Sequence, residues 1–347
     1  MKRKRPLGLE RGAPREGDVL GAKLRATPGD CFHAASSRKR SPQVRVFHSD
    51  SHTVPLPSGH RFPMGKYRLL REALLGASLL SEDELVPAEP VDFDALGLVH
   101  SARWVKAVKD GHLSEAEVRR LGFPWSEALV SRSRAAVGGT CAAARVALEE
   151  GFAGNLAGGT HHAFSDHGEG FCVFNDIAVS IRALQAEGRL GRALVVDLDV
   201  HQGNGTASVY EGDDSVFTFS MHGQHNFPFR KQRSSLDVGL EDGTSDAAYL
   251  DALYRHLPRV LAARPELIYY QAGVDPLAED TLGRLALTQE GLEARDRFVF
   301  ESARLHGLPL VVTLGGGYAR PLECTIAAHL GTYRAARAVY GGLDSSP

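Results

Sequence analysis

Four short runs limit most strongly what this chain can fold into: ALVVDLDVH (193–201), SVFTFSMH (215–222), LIYYQAG (267–273) and LPLVVTLGGGY (308–318). The first is too apolar to leave one face in water, and the second repeats its character, which suits a parallel sheet covered on both sides. Helical patterns separate such runs. SEALVSRSRAAVGGTCAAARVALEEG (126–151) carries a serine cap and a closing glycine, and NDIAVSIRALQAEG (175–188) is opened by Asn175 or Asp176 and stopped by Gly188. In DAAYLDALYRHLPRVLAARPE (246–266) Pro258 predicts a kink or an early stop, and EGLEARDRFVFESARLHG (290–307) is again helical. VRVFH (44–48) reads as a first strand, and another strand is expected to end near Gly158, just before a histidine pair. Strand and helix alternate without an internal repeat. The prediction is an α/β fold: a single doubly wound domain, residues 43–347, on a mainly parallel central sheet with right-handed crossovers.

Residues 1–42 are of another kind. They hold a net charge of +7, with KRKR at 2–5 and RKR at 38–40, and lack an apolar period, whereas the rest of the chain sums to −9. A basic, disordered tail is expected there. The plainer reading is a solvated extension; contact with nucleic acid or a nuclear signal is the other. No apolar run reaches the length of a membrane span or a secretory leader, so no membrane partner is expected. Cys31, Cys141, Cys172 and Cys324 are far apart and without CxxC spacing, which reads as reduced thiols. The expected compartment is the cytoplasm, or the nucleus if the source is eukaryotic.

The polar residues fall in a pattern. His161 and His162, then Asp197, Asp199 and His201, then His222, Asp275 and Tyr318, all come at the carboxyl ends of predicted strands. In an open parallel sheet those ends share one edge, and ligands bind in the crevice there. A lone His-His pair would fit a polar surface loop, but here it has company. Side chains two apart on a strand share a face about 6.6 Å apart, so Asp199 and His201 can aim at one ion, with Asp275 as a third ligand. Two carboxylates and one imidazole leave a position open, the pattern of a catalytic zinc. Asp197 and Asp199 could instead be caps or turn residues, yet carboxylates buried without a cation are costly. Amide hydrolysis also needs a proton carrier and an oxyanion donor. His161 and His162 suit the first role, oriented by Asp197 and Asn204; Tyr318, on a turn of three glycines that permits close approach, suits the second.

GGTHH, GEGFCVFND, VVDLDVHQGNGT, AGVDPLAEDTLG and LGGGY, with GHRFPMGKY and LVHSARWV before them, together resemble the histone deacetylase and acetylpolyamine amidohydrolase family of zinc-dependent deacylases. The resemblance runs from about Val44 to the C-terminal helix, and Gln202, Asn204 and RFPMGK look closest to its class IV branch. It implies the arginase/deacetylase-like fold, with Zn(2+) held by Asp199, His201 and Asp275. His162 would be general base and acid, His161 its electrostatic partner, and Tyr318 the oxyanion donor. Gly170, Phe171 and Phe227 would line a narrow tunnel for the acylated lysine, with Leu282 at its rim. K(+) would sit behind the zinc on Asp197, Asp199, His201, Ser220 and Met221. Two departures stand out. Asn204 replaces an Asp that orients the second histidine in many relatives. LGFPW (121–125) lacks the acid that many relatives carry on a rim loop, which predicts an apolar rim, suited to a longer acyl chain, and either a different way of holding a peptide or a substrate that is not a peptide.

The implied reaction is hydrolysis of the amide of an acylated lysine on a protein. An acetylpolyamine amidohydrolase is the alternative, which acids around the entrance would favour. A catalytically silent binding protein is a third reading, against which all the proposed catalytic groups are present. A binuclear manganese hydrolase would need a DxHxD run, whereas Gln202 and Gly203 follow His201.

Overall fold

A computed structural model describes residues 44–341. The tail expected over 1–42, and Cys31 with it, lies outside the described residues. The chain begins β1 (Arg45–His48), α1 (Lys66–Gly76), β2 (Leu85–Pro87), α2 (Phe93–Leu96), α3 (Ala102–Asp110) and α4 (Glu115–Leu121). It continues α5 (Glu127–Glu150), β3 (Phe152–Asn155), α6 (Asp176–Ala186), β4 (Ala193–Asp197), α7 (Asn204–Val209), β5 (Val216–Gly223) and β6 (Leu236–Leu240). α8 (Asp246–Leu261), β7 (Leu267–Gln271), α9 (Gln289–Leu305), β8 (Leu310–Thr313) and α10 (Leu322–Tyr340) complete it.

The strands form one sheet in the order β2-β1-β3-β8-β7-β4-β5-β6, and every pair is parallel. Both faces are covered, as the apolar runs predict. Along β4, Ala193 and Val195 join a cluster with Ile177, Ile181 and Ala144 of α6 and α5, while Leu194 and Val196 join one with Leu253, Phe300 and Ala335 of α8, α9 and α10. In β7 the same alternation sends Leu267 and Tyr269 one way and Ile268 and Tyr270 the other. A third cluster, around Trp104, Phe62, Phe123 and Phe174, packs among the loops. All described residues belong to one compact unit, and among them no helix is long and apolar enough to cross a membrane.

The order explains where a site can form. From β4 the chain runs outward to β5 and β6; from β7 it runs the other way, to β8. Strands β4 and β7 are neighbours, so their connections part at their carboxyl ends and leave a crevice there.

Two local expectations change, and one alternative is resolved. α8 continues through Pro258 to Leu261, because the proline falls in the last turn and ends the helix only after it. β3 ends at Asn155 rather than near Gly158, since the Asn155 side chain bonds back to Ala157 N (3.1 Å) and to Ala136 O (2.9 Å) and turns the chain. The cap of α6 is Asn175, whose Oδ1 accepts from Ala178 N at 3.0 Å, and Asp176 is free for another task.

Candidate active site

That task is to hold the turn before the histidines. The buried Asp176 carboxylate accepts from Gly159 N (3.0 Å), Thr160 N (2.7 Å) and Thr140 Oγ1 (2.6 Å). Gly158 and Gly159 both have φ of +75°, and a Cβ on Gly159 would lie 2.2 Å from Gln271 Oε1 of β7. Only glycine allows this bend against the strand.

Asp199 and His201 do not stand on a strand. β4 stops at Asp197, and the next residues form a turn that the carboxylates themselves organise. Asp197 Oδ1 accepts from Asp199 N (3.2 Å), Asp199 Oδ1 from His201 N (3.0 Å), and Asp275 Oδ1 from Val200 N (2.8 Å). Gly316 N, from the triple-glycine turn, donates to Asp199 Oδ2 at 2.7 Å. Val200 points into the core, as expected. His201 Nδ1 comes to 3.1 Å from Asp199 Oδ1 and 3.0 Å from Asp275 Oδ2. One ligand atom of each residue lies within 4.8 Å of the others, and among the described residues no other group of three His, Cys, Asp or Glu does this.

Two carboxylates and an imidazole, all buried, make an expensive cluster without a cation. Burial, then the Asp199 charge, pushes the Asp275 carboxyl up to about 7. Burial alone would pull His201 down, but Asp275 and Asp199 outweigh it and lift the imidazole to about 10. The cluster therefore seeks positive charge, and its hard oxygens and one imidazole nitrogen fit zinc with a position to spare.

The paired histidines stand beside it in different states. His161 Nδ1 meets Asp197 Oδ2 at 2.7 Å, and His162 Nδ1 meets Asn204 Oδ1 at 2.7 Å. Burial opposes charge on His161, but Asp197 and Asp199 overcome it and hold the ring up at about 9. His162 is driven well below its ordinary value by burial and by the charges of His161 and His201. Their ring centroids are 4.1 Å apart, so one charged and one neutral imidazole is the stable arrangement. The amide oxygen can only accept, so Nδ1 of His162 carries the proton and Nε2 is left as a base.

Asn204 is itself oriented by a residue that sequence reasoning left without a role. Its Nδ2 donates to Glu169 Oε2 at 2.9 Å, which turns the amide oxygen toward His162. A carboxylate thus stands behind the neutral amide. Glu169→Ala is expected to lower kcat by about tenfold with metal content unchanged, the scale of a lost orienting partner; steady-state kinetics beside metal analysis checks this.

The tunnel wall follows. Gly170 (φ +53°) and Phe171 (φ +67°) are held left-handed by Gly170 N to Arg120 O (3.3 Å) and Phe171 N to Leu121 O (2.8 Å). A Cβ on Gly170 would lie 2.7 Å from His162 Cδ2 and 3.1 Å from Phe227, so glycine keeps the passage open. Gly170, Phe171, Phe227, Leu282 and Tyr318 line one mouth, with His162 and His201 at its floor. The apolar rim expected from LGFPW is present only in part, since Leu121 and Gly122 line the mouth and the rest of the segment does not. Phe123 turns inward, 4% exposed, against Phe62 and Phe171, because α4 ends at Gly122 in a left-handed cap. α4 gives Arg119 and Arg120, both exposed, and the buried Leu121 to the mouth.

Two buried cations frame the site. Lys66, 1% exposed, donates to Gly315 O (3.2 Å) and Gly317 O (3.5 Å) of the turn that carries Tyr318. Arg295, fully buried on α9, donates through Nη1 to Leu198 O (3.2 Å) and Gly273 O (2.7 Å), tying the β4 and β7 connections together. RFPMGK drew attention to Lys66 without a role; Arg295 gave no signal, for it lies inside an ordinary amphipathic pattern. Of the set expected for K(+), Ser220 lies opposite Asp197 in the β4–β5 register and bonds His222 Nδ1 at 2.9 Å, and Met221 is buried beside it.

Residues 60–332 match the family described as the histone deacetylase domain. An uncharacterized protein of Picosynechococcus is 46% identical over 296 residues, covering 85% of this chain and 98% of that protein. Histone deacetylase 2 of Arabidopsis thaliana is 33% identical over 82% of this chain and 77% of its own length. The acetoin utilization protein AcuC of Staphylococcus aureus is 31% identical over 74% of this chain and 72% of its own. Among solved structures, an HDAC homolog complexed with SAHA superposes with a TM-score of 0.71 at 26% identity, covering 86% of this chain and 84% of that one. An HDAC homolog from Aquifex aeolicus, at 24% identity and a TM-score of 0.70 over 87% and 89%, has the same fold.

Proposed function

This chain belongs to the histone deacetylase family, and from that premise we propose that it is a zinc-dependent amidohydrolase that removes acyl groups from lysine side chains. The observation that carries the reading is the convergence of Asp199, Asp275 and His201, the last of which lines an aromatic-walled mouth, beside two histidines pushed in opposite directions from their ordinary pKa. Held by those three residues, a zinc ion would supply a polarised carbonyl and a water with a pKa of about 7.

The other steps fall to the chain's own groups. A lysine whose charge is masked by an acyl group is a slender apolar rod, suited to the passage between Phe171 and Phe227. His162 takes a proton from the attacking water at Nε2 and returns it to the departing amine. His161, kept charged by Asp197, favours the neutral state of His162 at the start and adds positive potential where negative charge develops. Tyr318 donates its hydroxyl to the developing oxyanion, and Leu282 borders the entrance.

A panel of lysine peptides from acetyl to myristoyl, together with acetylated polyamines, tests this with zinc measured on the same preparation. Stoichiometric zinc and cleavage of at least one acyl-lysine peptide are expected. A protein that binds no zinc, or that turns over none of the panel, would refute the proposal. The arginines at the mouth speak against the polyamine alternative.

A further inference from the structure

The walls of the mouth carry four arginines from three separate segments. Arg61 precedes α1, Arg119 and Arg120 end α4, and Arg284 lies between β7 and α9; all four are exposed. One carboxylate, Glu169, shares the lining, and it is engaged by the Asn204 amide. Arg119 and Arg284 each have an exposed acid nearby, Glu115 and Asp242, both at 3.3 Å. Such surface pairs are weak and easily exchanged. Arg61 and Arg120 have no carboxylate within 4.0 Å among the described residues. The gathering runs against the body of the protein, since residues 43–347 carry a net charge of −9.

Acylation removes the charge of the substrate lysine, so the sign that the mouth meets is that of its neighbours. A polyamine would bring free ammonium groups against the arginines, as would a lysine- or arginine-rich peptide, and like charges at close range are penalised. One small anion would satisfy one wall. Charges on three segments around the opening match acids placed on both sides of the modified lysine, and Phe229, 85% exposed in the same lining, offers an apolar contact.

We propose that the substrate is an acyl-lysine set in an acidic stretch of polypeptide, whose Asp and Glu side chains dock on Arg61, Arg119, Arg120 and Arg284. This rests on the deacylase reading above. The test uses the full chain and peptides with the preferred acyl group on one lysine, flanked on both sides by Glu, Ala or Arg. kcat/KM should favour Glu over Ala by about tenfold and Ala over Arg, with the spread shrinking as salt rises.

The N-terminal 42 residues are basic too, so the mouth is separated from them by an Arg61→Glu/Arg120→Glu variant with that segment intact. Its Glu-to-Ala ratio should fall to about one or below; a thermal melt confirms that it folds, and Arg61→Gln/Arg120→Gln serves if it does not. Equal rates on the three peptides, a preference for Arg, or a ratio that survives in both variants would overturn this inference and leave the deacylase reading standing. Cleavage of no peptide with any acyl group would overturn both.

Discussion

Asp199→Ala is expected to purify without zinc and to lose turnover by more than about 10³-fold, because without the ion the attacking water returns from a pKa of about 7 toward 15.7. Asp199 is the hinge of the cluster. Its Oδ1 accepts from His201 N and lies 3.1 Å from His201 Nδ1, and its Oδ2 accepts from Gly316 N. Gly273 and Gly316 exist to let it in: a Cβ on either would lie 2.2 Å and 2.9 Å from Asp199 Oδ2. Alanine removes the charge and frees the backbone that places the other two ligands. Metal analysis and turnover are read on one preparation, with circular dichroism to establish that the fold persists. A variant that still holds zinc and still cleaves would remove Asp199 from the ligand set.

Tyr318→Phe should keep its zinc and its fold yet lose about 10²- to 10³-fold in kcat, the scale of one missing oxyanion donor. The geometry makes this a clean deletion. The main chain of Tyr318 is fixed by Asp280 Oδ2, which accepts from its N–H at 2.6 Å, and by Thr281 Oγ1, which donates to its carbonyl at 2.8 Å. Its ring packs on Phe62 and Phe171, with centroids 6.2 Å and 6.1 Å away, contacts that phenylalanine keeps. Burial holds the phenol well above its ordinary value, so the native group keeps its proton as a donor across the neutral range. If kcat is unchanged, Tyr318 has no part in the chemistry. If KM alone rises, the hydroxyl binds substrate without favouring the transition state.

Much of the site is legible in the sequence. Apolar strands ending in Asp, His and Tyr placed the polar groups at one edge, and that edge is where Asp199, His201 and Asp275 meet. The path to it was only partly right. The period-two argument put Asp199 and His201 on a strand, whereas they ride a turn held by carboxylate-to-amide bonds. Two of these bonds are local, but Val200 N to Asp275 and Gly316 N to Asp199 join residues 75 and 117 positions apart, and no local pattern encodes those.

The class of fold, the polar edge and the placing of the His161–His162 pair with Asp199, His201 and Asp275 belong to the sequence alone, since burial on both sheet faces and the chemistry of side chains are written residue by residue. The rest came from the tertiary structure. It decided that Phe123 turns inward while Arg119 and Arg120 face the opening, because the left-handed cap at Gly122 redirects the chain. It set Glu169 behind Asn204 and the Arg295 guanidinium across two loops. Such placements depend on which distant segments pack together, a property of the whole chain's closure that nearest-neighbour preferences do not contain.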